Sequence, residues 1–130
     1  MTNYAPLIAA ARAVREHAHA PFSHFQVGAA LRTPAGKIYG GCNVENATYG
    51  LTVCAERVAI FKAVSEGERK FDAVAVFTEA GTLTPPCGAC RQLLWEFCGD
   101  IPVVLANAKG AVEVHRMSDL FPKPFDASSF

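Results

Sequence analysis

The sequence predicts an α/β fold, a three-layer α/β/α sandwich around a mixed five-stranded sheet. Three observations predict it. Residues 4–19 carry apolar groups at spacings of three and four, the mark of a one-sided helix. Residues 71–78 are an almost unbroken apolar run, as expected of a strand covered on both faces. The elements read in order as helix, two strands, helix, strand, helix, two strands, so helices are available to cover one sheet.

In the first helix the apolar positions are Tyr4, Leu7, Ile8, Ala11, Val14 and Ala18, and Pro21 stops it. Residues 25–32 alternate, with Phe25, Val27, Ala29 and Leu31 on one side, so they read as a strand, and on that evidence Phe25 is a core residue. Thr33-Pro34-Ala35-Gly36 is turn chemistry that returns a second strand over 37–43. Residues 44–53 read as loop. A helix follows over 54–67, with Gly67 able to end it. Its run Val58-Ala59-Ile60-Phe61 is apolar almost all round and is expected to pack deeply. After the strand at 71–78 comes a loop with Pro85 and Pro86, then a helix over 88–98. Strands at 102–106 and 111–116 flank the hairpin turn Asn107-Ala108-Lys109-Gly110.

Residues 1–130 have the size of one domain, and at 51% hydrophobic the chain holds enough apolar material for a core without a disulfide scaffold. The formal net charge is zero. That argues against nucleic-acid binding, which needs a basic face, and against a polybasic membrane contact. No apolar run reaches the roughly 18 residues of a membrane span. The opening Met-Thr-Asn-Tyr-Ala-Pro lacks the basic-then-apolar layout of a secretory signal, so a cytoplasmic location is expected. Five cysteines, an odd number, favour thiols and metal over disulfides in that setting.

Two short segments carry the chemistry: Cys54-Ala55-Glu56 and Pro86-Cys87-Gly88-Ala89-Cys90, each opening a predicted helix. Cys87 and Cys90, three apart in a first turn, lie on one face and can reach one metal. Cys54 can be brought to the same point. Two helix N-termini aimed at one spot favour negative charge, which helps hold thiolates. Three sulfurs on tetrahedral Zn²⁺ leave one position for water, the feature that separates a catalytic from a structural site. Zinc supplies hydroxide from that water near neutral pH. Glu56 is placed to take the proton and return it, as general base and then general acid. Three thiolates give the ion a formal charge of −1, which opposes acidification of the water, and Arg57 is the cation positioned to offset it.

A Cys-x-x-Cys pair alone also serves structural zinc and redox chemistry. A structural zinc needs a fourth ligand, for which Cys42, Cys98, His17, His19, His24 and His115 are available in principle. None of them forms a second Cys-x-x-Cys or a Cys-x-x-His. Cys42 and Cys98 read as packed thiols, and His17 and His19 as solvent-facing residues of the first helix.

The paired segments match the signature of the zinc deaminases in its three-cysteine variant. With Phe25-Gln26-Val27-Gly28-Ala29-Ala30, Gly41-Cys42-Asn43-Val44-Glu45-Asn46-Ala47, Cys54-Ala55-Glu56-Arg57 and Pro86-Cys87-Gly88-Ala89-Cys90-Arg91-Gln92, nearly the whole chain resembles the cytidine deaminase family, in its small all-cysteine class. The resemblance implies a cytidine deaminase-like fold and hydrolysis of cytidine and 2′-deoxycytidine to the uridines and ammonia, in pyrimidine salvage, by attack of zinc-bound hydroxide at C4. It implies one Zn²⁺ per chain on Cys54, Cys87 and Cys90, with Glu56 as proton shuttle also contacting N3. It implies that Asn43 and Glu45 bond the sugar 3′-hydroxyl, that Phe25 packs on the base, that the Ala55 N–H holds the pyrimidine carbonyl, and that Arg57 bonds the ligand sulfurs. It further implies a homotetramer with shared sites, in which neighbouring subunits supply Tyr49 and Phe125. Pro124 and the short tail after Phe125 depart from the family's usual ending.

An ionised Glu45 would repel a phosphate, which favours a free nucleoside over a nucleotide or polynucleotide. The competing readings are a deaminase of another cytosine nucleoside, such as an aminoacylated cytosine antibiotic, a nucleic-acid-editing deaminase, and a zinc-stabilised binding module without catalysis.

Overall fold

The computed structural model describes residues 3–130. Met1 and Thr2, which open the segment read for a secretory signal, lie outside the described residues. In chain order the elements are α1 (Ala5–Arg15), β1 (Gly28–Arg32), β2 (Ile38–Cys42), α2 (Ala55–Ser65), β3 (Ala73–Thr78), α3 (Gly88–Cys98), β4 (Pro102–Asn107), β5 (Val112–Arg116) and a short α4 (Met117–Leu120). The strands form one sheet in the order β2-β1-β3-β4-β5. Only β3 and β4 run parallel, and the other neighbours are antiparallel. The mixed five-stranded sheet is therefore as the sequence predicts.

Strand alternation distributes the core over two faces. On one face Leu31, Val74, Val76, Val103 and Leu105 pack with Ala59, Ile60 and Ala63 of α2 and Leu94 of α3. On the other, Ala30, Ala73, Ala75 and Val104 pack with Leu7 and Ala11 of α1. The small side chains on the α1 face let that helix lie close to the sheet. Every residue of β3 is buried, which explains why its sequence is apolar throughout rather than alternating. Among the described residues no helix is long and apolar enough to cross a membrane.

Two boundaries differ by three residues or more from those predicted. Helix α1 stops at Arg15, four residues early, because the His19 backbone leaves the helix to pair with the chain around Val44. The His19 N–H donates to the Asn43 carbonyl and the Glu45 N–H donates to the His19 carbonyl. His17 and His19 thus lie beyond the helix. Strand β1 begins at Gly28 rather than 25, because the Asn43 side chain substitutes for ladder partners. Its Oδ1 accepts from the Val27 N–H (2.9 Å) and its Nδ2 donates to the Phe25 carbonyl (2.7 Å). Phe25 is consequently 41% exposed, not core. In α2, Ala59 and Ile60 are buried as expected, but Phe61 is 47% exposed. Gly67, at φ +97, follows the end of α2, with the Glu68 N–H closing on the Ala63 carbonyl.

Candidate metal centre and active site

The chain order delivers α2 and α3 to the same side of the sheet with their N-termini converging. Cys54 is the N-cap residue of α2 and Cys87 that of α3, while Cys90 lies in the first turn of α3. Their Sγ atoms all lie within 4.8 Å of one another, and Cys54 and Cys87 Sγ are 4.0 Å apart. Among the described residues this is the only group of three or more His, Cys, Asp or Glu side chains placed to hold a metal ion.

Both helix N-termini and a guanidinium favour anionic sulfur here. Arg57 Nη2 lies 3.7 Å from Cys54 Sγ and donates to the Thr52 carbonyl at 3.1 Å. Cys54 is held well below the usual thiol range, first by its hydrogen bond with Cys90 and then by Arg57. Cys90 is raised in turn by that same bond and by burial. Arg57 Nε is buried without a hydrogen-bond acceptor among the described residues. An unmatched cationic donor beside three soft sulfurs fits a centre that carries thiolates, the ionisation state in which cysteine binds Zn²⁺.

Glu56 is 5% exposed, and burial pushes its carboxyl up to about 7. A carboxyl at that value exchanges protons readily near neutral pH. Ala55 is the first residue of α2, so its N–H has no acceptor within the helix.

A cleft of about 280 Å³ joins these groups. Cys54, Ala55, Glu56 and Cys87 line it on the α2 and α3 side, and Phe25, Asn43 and Glu45 on the other. Asn43 is buried, with each end of its amide holding the backbone of Phe25 or Val27. Glu45 Oε1 accepts from the N–H groups of Phe22 and Ser23, and Oε2 accepts from the Ser23 hydroxyl. The Ser23 bonds hold the Glu45 carboxyl below the usual carboxylate range.

Seven of the sequence-predicted site residues with Phe25 and Glu45 at one end and Cys87 at the other thus line a single cleft, and Cys90 and Arg57 adjoin it. Tyr49 and Phe125 do not reach it. Tyr49 lines a neighbouring cleft of about 390 Å³ beside Phe22, and Phe125 stacks on Phe130 at 6.0 Å beside α3. The sequence reading missed Ser23, Thr52 and Thr84, which also line the catalytic cleft. Thr84 shares a hydrogen bond with Thr78 (3.1 Å), which ties its loop to the end of β3. Nothing in the local pattern around Ser23 or Thr84 marks them, since only the folded loops bring them to the cleft.

A mixed sheet with two helix N-termini presenting three thiols, and a buried carboxyl beside them, defines a zinc-binding enzyme of the deaminase type. The family described as "Cytidine and deoxycytidylate deaminase zinc-binding region" matches residues 1–106, and the chain belongs to that family. It is 51% identical over 120 residues to a cytidine deaminase from Sporosarcina psychrophila, covering 92% of this chain and 88% of the relative. The crystal structure of a cytidine deaminase from Burkholderia pseudomallei superposes with a TM-score of 0.90 at 51% identity, covering 96% of this chain and all of that one. A blasticidin-S deaminase from Bacillus cereus is more distant, 33% identical over 104 residues and 74% of each chain.

Proposed function

We propose that this chain hydrolyses cytidine and 2′-deoxycytidine to uridine and 2′-deoxyuridine with release of ammonia, as one domain over residues 1–130. The observation that carries the reading is the buried Glu56 carboxyl, which burial pushes up to about 7, beside three clustered thiols at one cleft. Zinc held by Cys54, Cys87 and Cys90 would supply the Lewis acidity that makes water nucleophilic near neutral pH.

The chain's own groups do the rest. Glu56 takes a proton from the attacking water and delivers it to the pyrimidine N3, then carries the second proton to the departing amine. The Ala55 N–H, free of any helical acceptor, holds the pyrimidine carbonyl. Phe25 packs against the base. Asn43 retains one N–H and one lone pair beyond its bonds to Phe25 and Val27, enough to meet a sugar hydroxyl. Glu45 accepts the 3′-hydroxyl proton, and its ionised state repels a phosphate, which selects the free nucleoside. Arg57 offsets the charge of the sulfurs.

Exposed apolar side chains support assembly as a homotetramer with shared sites. Tyr49 is 74% and Phe125 63% exposed, and Leu51 and Phe61 are also open. In that assembly Tyr49 and Phe125 serve a neighbouring subunit's cleft. Similarity to cytidine deaminases supports a cytoplasmic enzyme of pyrimidine salvage acting on a free nucleoside, and the zero net charge supplies no excess of basic groups for nucleic acid.

The test is Glu56→Gln. It is expected to retain about one zinc per chain while turnover falls by about 10³-fold or more. Metal analysis and loss of cytidine absorbance read the two quantities. Near-normal turnover in the variant overturns the proton-shuttle role, and turnover unaffected by stripping the metal overturns the zinc assignment.

A further inference from the structure

We propose that Ser23 is a positioning residue for sugar recognition, fixing the one Glu45 lone pair that remains free for a ligand hydroxyl. The inference rests on the reading of Glu45 as the sugar contact given above.

A carboxylate offers about four acceptor sites. Glu45 already fills three of them from the loop that precedes β1: Oε1 takes the N–H groups of Phe22 (2.9 Å) and Ser23 (3.1 Å), and Oε2 takes the Ser23 hydroxyl. One site on Oε2 is left. The Ser23 hydroxyl is itself locked, because its oxygen accepts from the Phe25 N–H at 3.1 Å while its proton goes to Glu45. His24, at φ 57, turns the chain sharply between them, an uncommon conformation for a residue with a side chain.

The result is a chain of bonds from the Phe25 backbone through Ser23 to Glu45. Its ends are the residue that walls the cleft and the carboxylate that reads the sugar, and Ser23, Phe25 and Glu45 all line that cleft. Since its single proton is committed, Ser23 does not donate to the substrate. It sets which direction Glu45 Oε2 faces, while Phe25 keeps a second anchor of its own in the Asn43 Nδ2 bond to its carbonyl (2.7 Å). Bonds to ionised acceptors are the strong ones, so losing this one shifts binding measurably even at an exposed loop.

The experiment compares cytidine with 3′-deoxycytidine on the zinc-loaded enzyme and on its Ser23→Ala, Ser23→Thr and Glu45→Gln variants. Ser23→Ala is expected to raise KM for cytidine about tenfold with kcat held within about twofold, and to change KM for 3′-deoxycytidine by less than about twofold. Ser23→Thr, which keeps a hydroxyl, is expected to recover most of the cytidine KM. Equal KM increases for the two nucleosides in Ser23→Ala, or no increase for either, overturn the inference. A selective cytidine penalty in Glu45→Gln without one in Ser23→Ala overturns Ser23 alone and leaves the sugar contact standing. Glu45→Gln treating both nucleosides as the wild type does removes the sugar contact and the inference with it.

Discussion

Gly41→Ala is expected to damage stability and turnover together, through one steric collision. Gly41 lies in β2 opposite Ala29, beneath the first turns of α2. A Cβ at this position would stand 2.4 Å from the Ala59 nitrogen and 2.6 Å from the Ala55 carbonyl oxygen. Both are backbone atoms of α2, so no rotamer change can make room. Restoring ordinary contact requires α2 to retreat by about 1 Å. Overpacking of this kind costs roughly 1–3 kcal/mol, and a collision with backbone alone belongs at the upper end. For a chain of this length about 3 kcal/mol lowers Tm by roughly 10 °C. The retreating helix also carries Cys54 at its N-cap and Glu56 in its first turn, whereas Cys87 and Cys90 remain with α3. A displacement of about 1 Å between reacting groups costs on the order of 10²-fold in rate. Thermal unfolding of the zinc-loaded protein and steady-state cytidine kinetics measure both effects. Gly36→Ala is the control. Gly36 has φ +92 with nothing within 4 Å of an added Cβ, so only backbone strain of about 1–2 kcal/mol arises, in the β1–β2 turn. That variant is expected to lose a few degrees of Tm and no turnover. A Gly41→Ala enzyme with Tm within about 2 °C and kcat/KM within about twofold of wild type would refute the reasoning.

Two further outcomes follow from bonds that reach the C-terminal segment. Arg91 Nε donates to the Pro86 carbonyl (2.7 Å) and Nη1 to the Leu120 carbonyl (2.6 Å), tying the residue before Cys87 to the end of α4. Arg91→Lys loses the fork, and zinc transfer to a chelator is expected to quicken by about tenfold or more; an unchanged rate would show that the tie does not support the ligand loop. Trp95, the only tryptophan, donates from Nε1 to Asp126 Oδ2 at 2.9 Å. The bonds from Ser128 and then Trp95 hold the Asp126 carboxyl below the usual aspartate range, so the folded state prefers it ionised. The stabilisation is therefore complete above the unfolded value of about 3.9 and is lost only as pH falls through the lower folded value. Tryptophan emission is expected to stay constant from pH 7 to about 4 and to change below, whereas Asp126→Asn is shifted already at pH 7; a wild-type transition near pH 5 would contradict the assignment.

The legible parts of the fold were those in which local sequence and tertiary demand agree. Helix α3 runs from Gly88 to Cys98 as predicted, and the all-apolar β3 lies in the middle of the sheet with every residue buried. The boundaries that moved are those where a distant segment claims the backbone. Asn43 ends the ladder at Gly28 with its side chain, and the isolated bridge to Val44 draws His19 out of the helix. No periodicity in residues 16–27 contains that information, because the competing partner lies some twenty residues away. The same division holds in the cleft. Cys54 with Glu56 and Cys87 with Cys90 are written as short spacings at helix starts, since a helix N-terminus is a local structure. Ser23 and Thr84 are placed by loop geometry and carry no such mark.

The site also reverses the usual order of acidity between one of its sulfurs, Cys54, and the Glu56 carboxyl. In free amino acids a carboxyl gives up its proton far more readily than a thiol. Here the environment works against that order from both sides. Cys54 sits at a helix N-cap with Cys90 and Arg57 supplying hydrogen bonds, which lowers it, while Glu56, two residues on in the first turn, is enclosed, and burial raises it to about 7. Charge on Cys54 adds to the rise in Glu56, so ionising the thiol helps keep the carboxyl protonatable. Two acids pushed in opposite directions take separate roles. Cys54 is prepared to act as a thiolate ligand, and Glu56 is left able to accept and release a proton near neutral pH. Moving Glu56 to the surface would leave a carboxylate too acidic to return that proton, even with all three cysteines in place.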